Sequence, residues 1–417
     1  MKKAVVVLFL SVGAFLFLSL TYGENWGFWA HRRINRMAVF TLPPEMIAFY
    51  KKNIEYLTEH AVDPDKRRYA TRHEAVRHYI DADHWGVYPF PELPRDWNDA
   101  LMKFTEVGMI TASGDTVRLL RDTVAGGNAD RGEIFVALPM EGYRVAANYW
   151  KAYRGFFVRN ILPQYYEEEW VVDCDSLAAL FGLEPDALDC QSAFAVDHLS
   201  EFGILPYHLQ AMQYRLTEAF RQKDEGRILR LSAEMGHYIG DAHVPLHTTE
   251  NYNGQLTNQV GIHAFWESRL PELFADETYD YFVGKAEYIS KPREYFWDVV
   301  LASHALVDSV LLIERQLSQE FPADKQFCYE ERLGTTIRTQ CQEYAAAYNE
   351  RLSGMVEARL QRSIRAIGSS WYTAWVDAGQ PDLLNLGEHR PTVVEVKENE
   401  ELENQVRQGE KKGRPHE

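Results

Sequence analysis

The run His237-Tyr-Ile-Gly-Asp241-Ala-His-Val-Pro-Leu-His247 decides how the rest of this chain is read. His237 and Asp241 are spaced i, i+4, which on a helix places both side chains on one face, a turn apart. Pro245 ends that helix before His247, so a third donor can turn back toward the same pocket. A second pair at the same spacing, His263 and Glu267, follows in Gly261-Ile-His263-Ala-Phe-Trp-Glu267. Imidazole and carboxylate so arranged suit zinc, which takes nitrogen and oxygen donors in a compact shell. Five donors between positions 237 and 267 exceed what one catalytic ion uses, and point to several zinc ions.

A single His-x3-Asp pair is ordinarily a surface or capping pair. Here the pairs sit among Leu231, Met235, Tyr238, Ile239, Phe265 and Trp266, residues of the kind that cores bury. Polar groups on an apolar face must find partners or cost stability, and a metal satisfies them together.

Outward from the run, the sequence reads as helix. Leu216 to Tyr238 is amphipathic, broken softly at Asp224-Glu-Gly226. Trp29 to Phe40 is apolar at helical intervals, and Leu42-Pro-Pro-Glu restarts a helix through Ile54 and Leu57. Leu352, Met355, Leu360, Ile364, Ile367, Trp371 and Trp375 form a core-facing stripe. Strand-like alternation is scarce and no internal repeat is visible. The expected fold is mainly α, one helical domain over 24–386 with a zinc-cluster cleft. Residues 124–200 differ: they hold Gly126, Gly127, Gly132, the acidic run Glu167-Glu-Glu169 and two cysteines, and read as an inserted lid or subdomain. The tail, 387–417, mixes charges with little apolar content and reads as disordered or as a solvated helix.

Met1-Lys2-Lys3 followed by an uncharged stretch from Ala4 to Gly23 reads as a secretory signal peptide over 1–23. The protein is therefore expected to be exported, periplasmic or secreted; an uncleaved N-terminal membrane anchor is the alternative. No later segment reads as apolar enough to span. All four cysteines follow the signal, and an even count in an oxidising compartment suggests two disulfides. The local pairings Cys174–Cys190 and Cys328–Cys341 are preferred over the other connectivities and over free, buried thiols. A net charge of −17 argues against tight nonspecific binding to nucleic acid. It leaves a nuclease open, because bound zinc reverses the local potential.

The early chain adds His31 in Trp26-Gly-Phe-Trp-Ala-His31, Asp63 in Ala61-Val-Asp63, and His78 in Arg77-His78-Tyr-Ile-Asp. With these the chain resembles the superfamily of zinc-dependent bacterial phospholipases C and single-strand-specific zinc nucleases. The resemblance covers 26–85 and about 204–275, with weaker helical similarity to about 378. It implies up to three zinc ions in the cleft of an all-helical domain. Asp63, His78, His237 and Asp241 would hold one; His247, His263 and Glu267 a second; His31, the Trp26 backbone and the shared Asp241 the third. It also implies that Asp63 is the general base, in a reaction where zinc neutralises charge building on a phosphoryl oxygen.

Three features depart from the family pattern. Cleavage after Gly23 would leave Glu24-Asn25 ahead of Trp26, whose free amino group the family uses as a ligand; cleavage after Asn25 restores it. The stretch from His78 to His237 is longer than in compact members. The short Trp26-to-His31 spacing looks like the nucleases, whereas Glu267 looks like the phospholipases. The implied function is phosphate-ester hydrolysis, most of all phospholipase C-like, with a single-strand nuclease or 3′-nucleotidase as the alternative. A non-catalytic zinc-binding protein is the lesser one. The expected partner is a phospholipid, with transient membrane-surface contact, or single-stranded nucleic acid, stacked on aromatics such as Trp29, Trp85, Tyr252 or Phe265; no protein partner is inferable. Asp65 competes with Asp63 for the metal, but Asp63 fits the family spacing better; Asp81, Asp83 and His84 form a further possible ligand set near His78, or orient imidazoles. His60, His73, His84, His198, His208, His243 and His304 each read as surface or hydrogen-bonded structural groups.

Overall fold

The computed structural model describes residues 27–120, 149–184, 189–332, 335–409 and 412. The expected signal segment, Trp26, and the parts of the expected insertion at 124–148 and 185–188 lie outside them. The chain is mainly α, 62% helical with 8% strand.

Two long helices, Leu205–Gln222 and Glu225–Ala242, form an antiparallel hairpin whose turn places Lys223 in the left-handed region (φ 52°). The Asp224 carboxylate accepts from the Arg227 amide at 3.1 Å and starts the second helix. Against this hairpin lie the opening helix Gly27–Ala38 and the long helix Met355–Asp377. The C-terminal stripe faces inward as its spacing predicts: Ile364, Ile367 and Trp371 are wholly buried. The Trp371 indole N–H donates to the Ser232 carbonyl at 3.1 Å, so the bulky ring is anchored as well as packed.

A four-stranded antiparallel sheet is the main addition to the helices. Its order is β2 (Thr116–Leu120), β1 (Thr105–Ile110), β4 (Ser192–Asp197), β3 (Trp170–Val172). Val107, Met109, Trp170, Val172, Ala193 and Ala195 face the core, together with Tyr153, Phe156 and Leu177 of the flanking helices. The described part of the expected insertion therefore pairs with strands that precede it. A hairpin, β5 (Phe327–Arg332) and β6 (Thr335–Gln340), follows later in the chain. Two disulfides, Cys174–Cys190 and Cys328–Cys341, staple the local loops and suit an oxidising compartment.

Two expectations about the later chain change. The stretch Pro292–Glu320 is, by length and composition, apolar enough to cross a membrane. It folds instead as two helices, Pro292–His304 and Val307–Glu320, with Phe296, Trp297, Val300, Val310 and Leu317 buried within the protein. The charged tail takes the helical alternative over Val393–Gln408, begun by a Thr392/Glu395 capping box and tied back by Glu403 to Lys66 at 2.8 Å.

The buried apolar residues form two cores. The larger gathers the opening helix, the hairpin and the long C-terminal helix. The smaller gathers Leu246, Ile262, Phe265 and Leu270 with Val310, Tyr344 and Tyr348. His31, His237 and Asp241 stand on helices of the first core. His247 and His263 stand beside Leu246 and Ile262 of the second, so the polar residues singled out above meet at the seam.

Candidate metal centre

The helix carrying His237 and Asp241 is approached closely by the opening helix, and two glycines permit it. A Cβ on Gly236 would lie 1.8 Å from Asn35 Oδ1, and one on Gly240 would lie 2.9 Å from His31 Nδ1 and 2.8 Å from Ile34 Cδ1. Asn35 locks the contact by donating to the Ala233 carbonyl at 2.9 Å. The ring of His31 consequently stacks on that of His237, with centroids 3.8 Å apart. Gly240→Ala is expected to push the helices apart at a cost of roughly 1–3 kcal/mol and, by displacing His31, to weaken any metal binding at the donor sets. Metal analysis and thermal melts would test it; wild-type values for both would show that His31 tolerates the separation.

Four overlapping donor sets form at the seam. His78 Nδ1 lies 2.9 Å from Asp241 Oδ2 and 3.1 Å from His237 Nε2, and that Nε2 lies 3.3 Å from Asp241 Oδ2. Asp65 Oδ1 approaches both imidazoles at 3.8 Å. In the second set His263 Nε2 is 2.7 Å from Glu267 Oε2 and 3.2 Å from His247 Nε2, which is itself 3.3 Å from Glu267 Oε2. In the third, His31 Nε2 is 3.3 Å from Asp241 Oδ1 and 3.8 Å from Glu267 Oε1. His31 also groups with Asp65 and His237. Asp241 thus turns one oxygen to the first set and one to the third, and Glu267 divides its oxygens between the second and third. Tetrahedral zinc with bonds near 2.0–2.1 Å sets its donors about 3.3 Å apart, the middle of these separations.

The hydrogen bonds around the sets prepare the imidazoles as ligands. His237 Nδ1 donates to the Ala61 carbonyl at 2.8 Å, His247 Nδ1 to the His78 carbonyl at 2.5 Å, and His263 Nδ1 to the Tyr252 carbonyl at 3.1 Å. Each donation fixes the tautomer and leaves a lone pair on Nε2, aimed at the cluster. His247 and His263 then set nitrogen against nitrogen at 3.2 Å, an arrangement that a shared proton or a metal ion between them satisfies. The second helical pair reaches this geometry through a π-helical turn, Phe265–Arg269, that widens the backbone at Glu267.

The charges fit the same account. Burial would raise the Asp241 carboxyl, but the His237 and His247 imidazoles hold it well below the usual range. Glu267 is likewise held down against burial by His247 and His263, and Asp65 by His237 and His78. Burial disfavours charge on His237, yet Asp241 and Asp65 push its pKa up to about 9. The buried carboxylates therefore demand positive charge, which a proton or a metal ion supplies. Behind His78, Glu74 is buried 3.8 Å from Nε2 and accepts from Tyr238. Burial would raise its pKa, but Arg67 and Arg77 lower it to about 2.

His31, His78, His237, Asp241, His247, His263 and Glu267 are thus brought together, while Trp26 lies outside the described residues. Asp63 is not brought in, and here the expectation is corrected. Its Oδ2 bonds His60 Nδ1 at 2.5 Å and its Oδ1 lies 3.4 Å from Lys66. Both aspartates sit on one short helix, Asp63–Arg67, and residues two apart on a helix face different ways. Asp65 takes the inward direction. Asp81, Asp83 and His84 also stay out of the donor sets: Asp83 accepts from Thr249 Oγ1 at 2.6 Å and from the Glu250 amide at 3.0 Å, and His84 pairs with Glu250. Asp83 and His84 tie down the loop that follows His247. Several buried His/Asp/Glu sets of this chain can therefore hold a metal ion.

Compared with known proteins, the chain matches no family model and no curated protein.

Proposed function

We propose that this chain is an exported zinc-dependent phosphate-ester hydrolase of the phospholipase C and zinc nuclease type, holding up to three ions. The observation that carries the reading is the sharing of Asp241 and Glu267 between adjacent donor sets, which builds a multinuclear site. Bound there, zinc acts as a Lewis acid that acidifies water and neutralises phosphoryl charge. The imidazoles, fixed by their carbonyl partners, and the bridging carboxylates supply a preorganised shell. Asp65 has the most exposed side chain of the donors, 19% against 1% for Asp241. Held ionised at the open side, its carboxylate is the group suited to take a proton from a nucleophilic water.

Lipid is the preferred substrate. Val87 and Leu256 are 84% and 70% exposed and lie on two loops joined through Asp83, Thr249 and Glu250. The second loop runs from His247 to His263, so Leu256 is borne by a segment with a metal donor at each end, where a membrane surface could be met. Phe265, by contrast, is 2% exposed and provides no surface for base stacking. The nuclease reading keeps Trp29 and Tyr252, both half-buried, as candidate stacking rings.

The test is a side-by-side assay of the zinc-loaded protein on phosphatidylcholine dispersions and single-stranded DNA, with a chelated control. Chelator-sensitive release of phosphocholine alone is the expected result. DNA cleavage alone would move the protein to the nuclease branch, and full activity after chelation would end the zinc-dependent reading.

A further inference from the structure

A second polar cavity, of about 270 Å³, lies between the hairpin helices on the far side of Tyr238 from the metal donors. Arg67, Arg77, Arg215, Arg227 and Arg230 line it, an unusual concentration in a chain of net charge −17. Their placement follows from helical spacing. Arg227, Arg230 and Glu234 step by three and four along one helix, and His208, Met212 and Arg215 along its antiparallel partner.

The carboxylates nearby are too few for these cations. Glu234 pairs with Arg67 at 2.8 Å, and Glu74, beneath the floor, engages Arg67 at 3.2 Å and Arg77 at 2.7 Å. Arg227 reaches Asp224 only at 4.0 Å. Arg215 and Arg230 make no ion pair with any described residue, and both are exposed. His208 packs edge-on against Tyr238, with centroids 4.5 Å apart, and its ring makes no hydrogen bond to a described residue. Burial, reinforced by Arg77, holds it well below its usual pKa, so it is a neutral donor.

We infer that this cavity is an anion site for a phosphate or phosphomonoester dianion, received by Arg77, Arg215 and Arg230 with His208 at its base. Guanidinium is suited to this ligand because its planar fork matches phosphate oxygens two at a time. Arg215 and Arg230 lack an ion-pair partner among the described residues, and repulsion among the clustered cations is relieved when a dianion enters. The volume accommodates a phosphate with a small substituent. Met212 and Leu231 give the substituent an apolar wall. The site stands apart from the metal donors and holds whichever bond they cleave.

The test titrates inorganic phosphate into the zinc-loaded full chain by calorimetry, comparing wild type with Arg215→Ala/Arg230→Ala. Neither residue belongs to the metal centre, so zinc content is expected to be unchanged. The double variant should bind one phosphate fewer per chain, or bind it at least about tenfold more weakly. Arg215→Lys/Arg230→Lys should retain part of the affinity, and binding should weaken as salt rises. Each single alanine variant is read separately, so a folding defect in the double variant leaves the comparison intact. Displacement of bound phosphate by phosphocholine would identify a phosphomonoester ligand; retention would identify the free anion. Equal stoichiometry and affinity in wild type and all alanine variants would overturn the site.

Discussion

Asp241→Asn is expected to remove most of the bound metal in one substitution. Its two oxygens face different donor sets, at 3.3 Å from His237 Nε2 on one side and 3.3 Å from His31 Nε2 on the other. The amide that replaces the carboxylate keeps the volume but has one oxygen in place of two and no charge. Loss of an outer partner of a metal ligand commonly costs 10–100-fold in affinity, so loss of this shared ligand should exceed about 100-fold. Metal analysis after dialysis should show the first and third sets depleted while His247, His263 and Glu267 retain theirs. Wild-type zinc content would mean that Asp241 bridges nothing, and the multinuclear reading would fall with it.

The second large effect separates two aspartates on the same helical turn. Asp65→Asn is expected to lower turnover by about 10²–10⁴-fold if its carboxylate is the general base. Asp63→Asn should stay within a few-fold of wild type. Its bond to His60 is structural, and losing it should appear as roughly 1–3 kcal/mol of stability. Turnover on whichever substrate is cleaved, measured with zinc content and melting temperature, distinguishes the two roles. The opposite ranking would return the base to Asp63 and detach Asp65 from the chemistry.

Much of the fold and the site was legible because helices repeat. The stripe ending at Trp371 and Trp375 and the pairs His237/Asp241 and His263/Glu267 follow one rule of spacing. Pro245 behaved as a helix stop must: the helix ends at Ala242, and a short turn, Pro245–Thr248, carries His247 back. Family spacing favoured Asp63 over Asp65, and the structure reverses the choice because only the direction of a five-residue helix divides them. The double use of Glu267 depends on where the opening helix comes to rest. That position is set by what Gly236 and Gly240 lack, and such absences carry no periodic signal. The arginine cavity was not read from the sequence, since its shortage of carboxylates is a property of the folded surface.

The placement of the donors at the seam between two cores also orders their assembly. His247, His263 and Glu267 lie within one short stretch of chain and need little more than its local turn. The other sets join His31, Asp65 and His78 to a helix far along the sequence, across loops about tenfold longer. Closing such loops costs about 2 kcal/mol more in chain entropy, and it requires the opening helix to have docked on Gly236 and Gly240. On the proposed reading, one ion could be taken up by a partly folded chain, whereas the full complement would need the finished protein. If metal is bound as proposed, its content would rise from zero through partial to complete as the two cores close.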